Sequence, residues 1–341
     1  MCEADHLKGV NVFITHGTLC HSISESNGKV LINSIEALHS NQEEADTRMF
    51  LHAKYAAHHG GKDIVIISPD TDVFIIGLAF CKSLHGSHLY FNTGKDANLR
   101  TIHLQAIQEH IGNEVSNALI GLHCFTGCDS VSSFFGKGKV KAMKLVMENS
   151  NLCKAFCSLG NSTSELSDEL VCDLETFVCR LYGHKNKSVN EVRYAMFSMN
   201  VRAENMMPPN KDALYKHIQR ANYQASIHKA SFIQQQNAPS PVGNGWKMAD
   251  NKLVIDWMEK QPALHSILEL SSCSCKKSKC NEGVANEKCC VSLGFSCTEL
   301  CSCKNCNNLL HTSDVFEIDG DDSDDEEEGD EFEQEELFSL V

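Results

Sequence analysis

Two aspartates follow a run of branched apolar residues in the stretch IVIISPDTDVFIIG, residues 64–77. Asp70 and Asp72 stand two positions apart, although aspartate is rare in strands and in helix interiors. One interpretation is structural: Ser68 and the following proline form a turn, and Asp72 caps a helix. The other is a metal site, because side chains two positions apart point the same way if extended geometry persists through Thr71.

Further carboxylates stand in two other short motifs. Glu44 and Asp46 lie in QEEAD, and Asp129 lies in FTGCDS. A capping box between Ser40 and Glu43 would explain why an acidic residue stands at position 43. Glu44 and Asp46 would point to different faces of a regular helix, so they can share one site only at a loop–helix junction or if one of them acts through water. Clustered carboxylates keep their charge best around a cation, and oxygen ligands suit Mg²⁺ or Mn²⁺. The predicted ligands of such a cation are Glu44, Asp46, Asp70, Asp72 and Asp129.

Cysteines mark a second candidate site farther along the chain. Nine of the 18 cysteines fall within 34 residues, whereas the other nine are scattered. The first residues contain no basic and apolar signal segment, so we expect reduced thiols in an intracellular compartment. Thiolates at this density bind Zn²⁺. The predicted zinc ligands are Cys273, Cys275, Cys280, Cys289, Cys290, Cys297, Cys301, Cys303 and Cys306.

Alternating helices and strands are expected to position the carboxylates. Residues 43–61 carry a helical apolar stripe that ends at two glycines, and residues 63–68 indicate a strand buried on both faces. HLYFN indicates a second strand and LQAIQEHIG another helix, while DVFIIGLAF fits a helix or the turn into one. The pattern predicts an α/β domain with a largely parallel sheet, in which ligands bind beyond the carboxyl ends of the strands.

The rest of the chain is divided by composition. Residues 151–233 are predicted to form a helical extension, and the basic and aromatic stretch 211–232 within it is predicted to be a surface helix. Pro, Gly and Gln mark a linker and connecting segment over 234–262. No apolar run approaches the roughly 20 residues that a membrane span needs, so we expect no membrane contact.

An acidic, disordered tail is predicted over residues 311–341. Between Asp314 and Glu336 there are 15 acidic residues and no Lys or Arg, so the remainder of the chain is close to neutral. One role for this tail is solubility. The alternatives are binding to a basic protein or competition with nucleic acid as a mimic of a polyanion.

The carboxylate motifs occur in the order EEADTR, SPDTDVFIIG and FTGCDS, and GKGKVKA follows them. Over roughly residues 30–150 they resemble the internal region of flap-endonuclease-like nucleases in the PIN-like superfamily. The resemblance implies a three-layer α/β/α domain with a largely parallel sheet over residues 1–150. It also implies phosphodiester cleavage with Mg²⁺ or Mn²⁺ held by Glu44, Asp46, Asp70, Asp72 and Asp129.

The GKGKVKA segment resembles the turn with which this family holds a duplex phosphate through backbone amides. DNA is the expected partner, and RNA is a second candidate. Flap-endonuclease relatives draw further aspartates from a region before these motifs, whereas about 40 residues precede Glu44 here. We therefore expect a fragment or an incomplete site, with weak or no cleavage. The residues expected at the phosphate are Gly136, Lys137, Gly138, Lys139 and Lys141.

The cysteine cluster is similar to a tesmin-type CXC module, in which nine cysteines hold three zinc ions. The match covers the opening CSCKKSKC and the ending CTELCSCKNC, within a module expected at residues 263–310. The middle departs from the pattern, because Cys289 and Cys290 are adjacent and Lys288 stands nearest the position of the family's DNA-contacting tyrosine. Zinc binding is therefore expected, and DNA reading by this module stays open.

Two functions remain in competition. The first is a divalent-metal nuclease that acts on single-stranded or structured DNA, with the nucleus favoured over the cytoplasm. The second is a non-enzymatic nucleic-acid-binding or adaptor protein with a structural zinc module. RLYG and the cysteine-rich segment also resemble nuclease-like proteins that look derived from mobile elements.

Overall fold

The computed structural model describes five ranges of the chain, and the cysteine cluster and the acidic tail lie outside them. Within these ranges the protein is a mixed α/β structure with three small sheets and nine α-helices. No helix there has the length and apolar character needed to cross a bilayer. The described ranges are residues 4–95, 98–162, 166–185, 188–198 and 204–259.

The first sheet is an antiparallel meander that the sequence analysis did not anticipate. Its hairpins are tight because Gly17, Asn27 and Gly28 adopt positive φ angles, which suit two-residue turns. The sheet joins the first helix through a small cluster that includes Cys20 and Leu51. Its strands are β1 (Val12–His16), β2 (Leu19–Ser26) and β3 (Lys29–Ser34).

The central sheet holds the predicted β–α–β unit. Strands β4 and β5 are parallel, but β6 pairs antiparallel with β5, so the prediction of a largely parallel sheet is wrong for these three strands. The helices and strands expected around the carboxylate motifs are confirmed. They are α1 (Ala45–His58), β4 (Asp63–Ile67), α2 (Thr71–Phe80), β5 (His88–Thr93) and α3 (Leu104–Ile111), whereas β6 (Arg100–His103) was not expected.

Strand β4 is covered on one face rather than on two. Ile66 is 6% exposed and enters the core, whereas Val65 is 50% and Ile67 is 74% exposed. The expectation of a strand buried on both faces is therefore wrong. Helices α1, α2 and α3 contact the sheet, and in the described ranges the second helical layer of the expected three-layer domain is not seen over Val65 and Ile67.

The remaining helices continue the same core across the expected boundary at residue 150. One apolar cluster runs from Phe50 to Ala225 and includes Phe125, Phe156 and Phe177. The helices are α4 (Asn113–Thr126), α5 (Lys139–Met147), α6 (Ser150–Ser158), α7 (Asp168–Leu181), α8 (Val189–Ser198) and α9 (Lys211–Lys229).

Helix α9 is buried against α4, so its assignment as a surface helix is wrong. Its polar residues are inside the protein because groups far away in the sequence satisfy them. Arg220, for example, is 2% exposed and donates to the carbonyls of Gly245 and Asp256. The polar residues of α9 therefore form hydrogen bonds with other parts of the protein rather than with solvent.

The segment expected as a linker is folded where the structure describes it. It contains a hairpin of β7 (Trp246–Ala249) and β8 (Lys252–Ile255). The backbone N–H of Gln236 donates to the side chain of Asn41, and Asn41 donates back to the Gln236 carbonyl. Residues 234–259 therefore pack onto the domain rather than separating two units.

Candidate active-site cleft

Glu44 and Asp46 lie at the junction between a loop and α1. Glu44 is the N-cap residue with an extended backbone (φ −78°, ψ 131°), and Asp46 is in the first helical turn. Ser40 accepts a hydrogen bond from the backbone of Gln42 instead of capping α1, so the expected capping box does not form. The two residues therefore stand at a loop–helix junction, which is the arrangement that the sequence analysis required for a shared site.

The aspartates at the end of β4 have different structural roles. Asp70 caps α2, and its Oδ1 accepts from the backbone N–H of Asp72 at 2.8 Å. Ser68 Oγ in turn accepts from the Asp70 N–H at 3.0 Å. The prediction that Asp72 is the cap is therefore wrong, and Thr71 is already helical. Asp72 instead enters the interior, where it is 7% exposed.

A cleft forms where α4 ends and the chain turns toward α5. Gly127 has φ 125°, and a Cβ atom there would meet Ser133 at 2.7 Å, so glycine is required. The turn after it is closed by a bridge between Cys128 and Val131. The cleft has a volume of about 460 Å³, and its lining includes Asp70, Asp72, His123, Asp129, Lys139 and Ile255.

Three of the five predicted carboxylates, Asp70, Asp72 and Asp129, line the cleft, whereas Glu44 and Asp46 are not part of its lining and interact with it electrostatically. Burial raises the pKa of Asp46 to about 6, with further contributions from Asp70, Asp72, Glu44 and Asp129. Burial likewise raises the pKa of Glu44, to which Asp72 and Asp129 add. Carboxylates on three separate segments therefore lie close enough for their charges to raise the pKa values of Asp46 and Glu44.

His123 is the principal partner of Asp72. Its Nε2 lies 2.5 Å from Asp72 Oδ1, deep beneath the cleft. Burial alone raises the pKa of Asp72, but the hydrogen bond and charge of His123, with smaller effects of His228 and Lys139, bring it below its ordinary value. Asp72 is therefore held as a carboxylate at neutral pH.

Helix α9 supplies a second polar group to the cleft. The Nε2 atom of Gln224 donates to Glu44 Oε1 at 3.2 Å and lies 2.9 Å from His228 Nε2. His228 Nε2 lies 3.7 Å from Asp72 Oδ2 and 3.8 Å from Glu44 Oε2. Burial lowers the pKa of His228 to about 4, so its ring is neutral at pH 7.

Sequence reasoning missed His123, Gln224 and His228. His123 had a signal, because it interrupts the apolar run ALIGLHCF only a few residues before Asp129. Gln224 and His228 are four positions apart, and so lie on one helical face, which also carries the buried Ala221. A polar pair beside small apolar residues indicates a buried functional face more than a solvated one.

The glycine- and lysine-containing turn lies beside the cleft, but its three lysines differ. Lys139 lines the cleft, Lys141 is exposed, and the Lys137 ammonium lies 5.1 Å from the ring centre of Tyr182. Gly136 adopts φ 64°, which favours glycine. Gly138 is the N-cap of α5 and has no side chain to satisfy the first amides of that helix.

The two predicted metal sites have different outcomes. Across the described ranges, no group of three or more His, Cys, Asp or Glu side chains is arranged to hold a metal ion. The nine predicted zinc ligands, from Cys273 to Cys306, lie outside those ranges. The structure thus brings Asp70, Asp72 and Asp129 to one cleft, leaves Glu44 and Asp46 outside its lining, and does not close the five around one point.

Comparison with known proteins returns no relative. No family model, no curated protein and no solved structure matches this chain.

Proposed function

We propose that the cleft is the active site of a divalent-metal-dependent nuclease that acts on DNA phosphodiesters. The observation that carries the proposal is that Asp70, Asp72 and Asp129, from two separate segments, line one cleft, with Asp46 close enough for their charges to contribute to its raised pKa of about 6. Clustered carboxylates of this kind favour a hard cation with oxygen ligands. A PIN-like origin of residues 1–150 belongs to the same proposal, and the β4–α2–β5 unit and the order of the motifs support it.

The donor set fits Mg²⁺ or Mn²⁺. The residues that would hold the ion are Glu44, Asp46, Asp70, Asp72 and Asp129. A bound divalent cation would activate water and stabilise the leaving oxygen of a phosphodiester. The protein's own contribution is positioning: the helix cap fixes one oxygen of Asp70, and His123 keeps Asp72 ionised and oriented.

The substrate class is inferred from the positive side of the cleft. Lys139 lines the same cleft as Asp70, Asp72 and Asp129 and is in the first turn of α5. The N-terminal amides of a helix and a nearby ammonium together favour a phosphate group. Lys141 and the turn residues Gly136, Lys137 and Gly138 extend this surface along a nucleic-acid backbone. DNA is the preferred substrate, and RNA is the alternative.

A second function is favoured by a different observation. Several carboxylate oxygens already have protein donors: His123 binds Asp72, Gln224 binds Glu44, and a backbone amide binds Asp70. A site satisfied in this way would suit a protein that binds nucleic acid without cleaving it. In that case Lys139 and its neighbours would still contact phosphates, and the carboxylates would serve the fold.

A nuclease assay with Mn²⁺ on single-stranded and flap DNA separates the two functions. We expect weak cleavage that Asp72→Asn reduces at least tenfold, because Asp72 is central to the acidic site. Asp63→Asn is the matched control, since Asp63 is exposed at the other end of β4. Binding is measured in parallel by fluorescence anisotropy, with Lys139→Ala.

The outcomes of that assay are distinct. Cleavage that survives Asp72→Asn comes from another protein or another site, and would overturn the nuclease proposal. DNA binding that Lys139→Ala weakens, with no cleavage at any Mn²⁺ concentration, would support the non-enzymatic function. We further propose that the cysteine cluster is a zinc module that adds to nucleic-acid binding, and that the protein acts in the nucleus.

A further inference from the structure

A buried histidine lies close to Asp72, which lines the cleft, and to Glu44 beside it. His228, in α9, is 1% exposed. Its Nε2 lies 3.7 Å from Asp72 Oδ2 and 3.8 Å from Glu44 Oε2. Both distances are too long for hydrogen bonds. The ring therefore faces two carboxylate oxygens, from the beginnings of α1 and α2, without binding either directly.

The hydrogen bonds of His228 define which ring nitrogen carries the proton. The amide nitrogen of Gln224 lies 2.9 Å from His228 Nε2 and has only hydrogens to give, so Nε2 is the acceptor. Nδ1 then carries the hydrogen, and Cys124 Sγ accepts it at 3.6 Å. The lone pair of the imidazole is consequently on Nε2, the nitrogen nearest the carboxylates.

One amide group separates these electron-rich atoms. Gln224 Nε2 donates both to the imidazole and to Glu44 Oε1, so its two hydrogens occupy the space among the acceptors. Two carboxylates and a lone pair repel one another unless positive charge lies between them. The partial positive charge of the Gln224 amide only weakly offsets this repulsion. A cation that replaced the amide between the carboxylates and His228 would offset it more strongly.

We infer that His228 is a nitrogen ligand of the cation in the cleft and that it makes the site prefer Mn²⁺ to Mg²⁺. The inference rests on the proposed function. Mg²⁺ strongly favours oxygen, whereas first-row transition ions accept imidazole readily. Donors that share an ion at about 2.1 Å lie roughly 3 Å apart at right angles. A rotation of the Gln224 amide and a closure of about 0.7 Å would bring His228 Nε2 close to that distance from the Asp72 and Glu44 oxygens, which now lie 3.7 and 3.8 Å away.

The test measures cation binding rather than catalysis. The zinc-loaded full-length chain is titrated with Mn²⁺, free Mn²⁺ is followed by electron paramagnetic resonance, and Mg²⁺ affinity is obtained by competition. We expect wild type to bind Mn²⁺ at least tenfold more tightly than Mg²⁺. His228→Gln should reduce that ratio at least fivefold, because it removes the nitrogen ligand.

Two further variants separate ligation from a structural role. His217→Gln is the matched control, because His217 is 5% exposed on the same helix and its Nε2 donates to the Phe125 carbonyl at 2.7 Å. It should keep the wild-type ratio. Gln224→Ala should bind Mn²⁺ at least as tightly as wild type, because the amide competes with the ion.

Each result bears on one proposal or both. An unchanged ratio in folded His228→Gln, or an equal loss in His217→Gln, overturns the role of His228. Mn²⁺ binding that depends on His228 without DNA cleavage supports the inference and counts against the nuclease. Mn²⁺ binding that is identical in wild type and Asp72→Asn overturns the cation site, and with it both proposals.

Discussion

His123 Nε2 lies 2.5 Å from Asp72 Oδ1, and the two side chains are only 3% and 9% exposed. This contact joins the last turn of α4 to the first turn of α2, two elements that are far apart in the sequence. A buried carboxylate without a donor is costly, and a hydrogen bond to a charged group contributes about 1.5–3 kcal/mol. The pair thus positions a carboxylate that lines the cleft and also stabilises the fold.

Removal of either partner should expose this coupling. In a double-mutant cycle of His123→Leu and Asp72→Asn, we expect a coupling free energy of about 2 kcal/mol at pH 7. Because the pKa of Asp72 is lowered below 3.8 in the folded state, this stabilisation is present above pH 3.8 and is lost as the pH falls further. Urea unfolding at pH 7 and pH 3 measures both values. A coupling below about 0.5 kcal/mol at pH 7 would contradict the prediction.

Asp46 should have the opposite effect on stability. Its pKa rises from 3.8 to about 6 on folding. The protonated side chain therefore makes its full contribution to the free energy of unfolding below pH 3.8, and that contribution is lost as the pH rises through 6. Asp46→Asn should therefore raise the free energy of unfolding at pH 7.5 by about 1 kcal/mol, after allowance for solvent screening. The gain should vanish near pH 4.

Divalent cations provide the control for Asp46. In buffer free of Mg²⁺ and Mn²⁺ the variant should be more stable than wild type, and added Mn²⁺ should stabilise wild type more than the variant. Asp63→Asn, at an exposed position on β4, should show neither effect. A variant that is less stable than wild type at pH 7.5 would show that repulsion at Asp46 is not the dominant interaction.

The five carboxylates could be singled out from the sequence because their motifs are local. Each acidic residue follows a strand, begins a helix or ends one, so short motifs were sufficient to find Glu44, Asp46, Asp70, Asp72 and Asp129. His123, Gln224 and His228 could not be found in this way. Their roles depend on the packing of α9 against α4, which brings residues about 180 positions apart, such as Gln224 and Glu44, into contact.

The sheet shows the same limit. The apolar run of β4 predicted a strand correctly, but a sequence of isoleucines and valines does not reveal whether one face or both are covered. The direction of β6 depends on the connection after β5, and its four residues, RTIH, carry little pattern. The meander from β1 to β3 had one readable signal, the Asn27–Gly28 turn, which the search for strand-end aspartates overlooked.

The zinc module stays a prediction with a direct measurement. Purified protein should contain about three zinc ions per chain, and chelation should unfold residues 270–310 because metal binding supplies the folding energy of such modules. Cys301→Ser should lower the zinc content. Cys153→Ser should not, since Cys153 is buried in α6 and its thiol pKa is raised to about 11 by burial. Elemental analysis without zinc, or disulfides among the nine cysteines, would refute the module.

Two adjacent isoleucines provide the sharpest test of the fold around the cleft. Ile66 is 6% exposed and packs in the core, whereas Ile67 is 74% exposed on the other face of β4. Ile66→Ala should reduce the free energy of unfolding by about 2–4 kcal/mol, because it leaves a cavity. Ile67→Ala should change it by less than about 0.5 kcal/mol. Urea denaturation of the full-length chain measures both. Equal, large losses would mean that a further layer covers Ile67, as in a three-layer α/β/α domain.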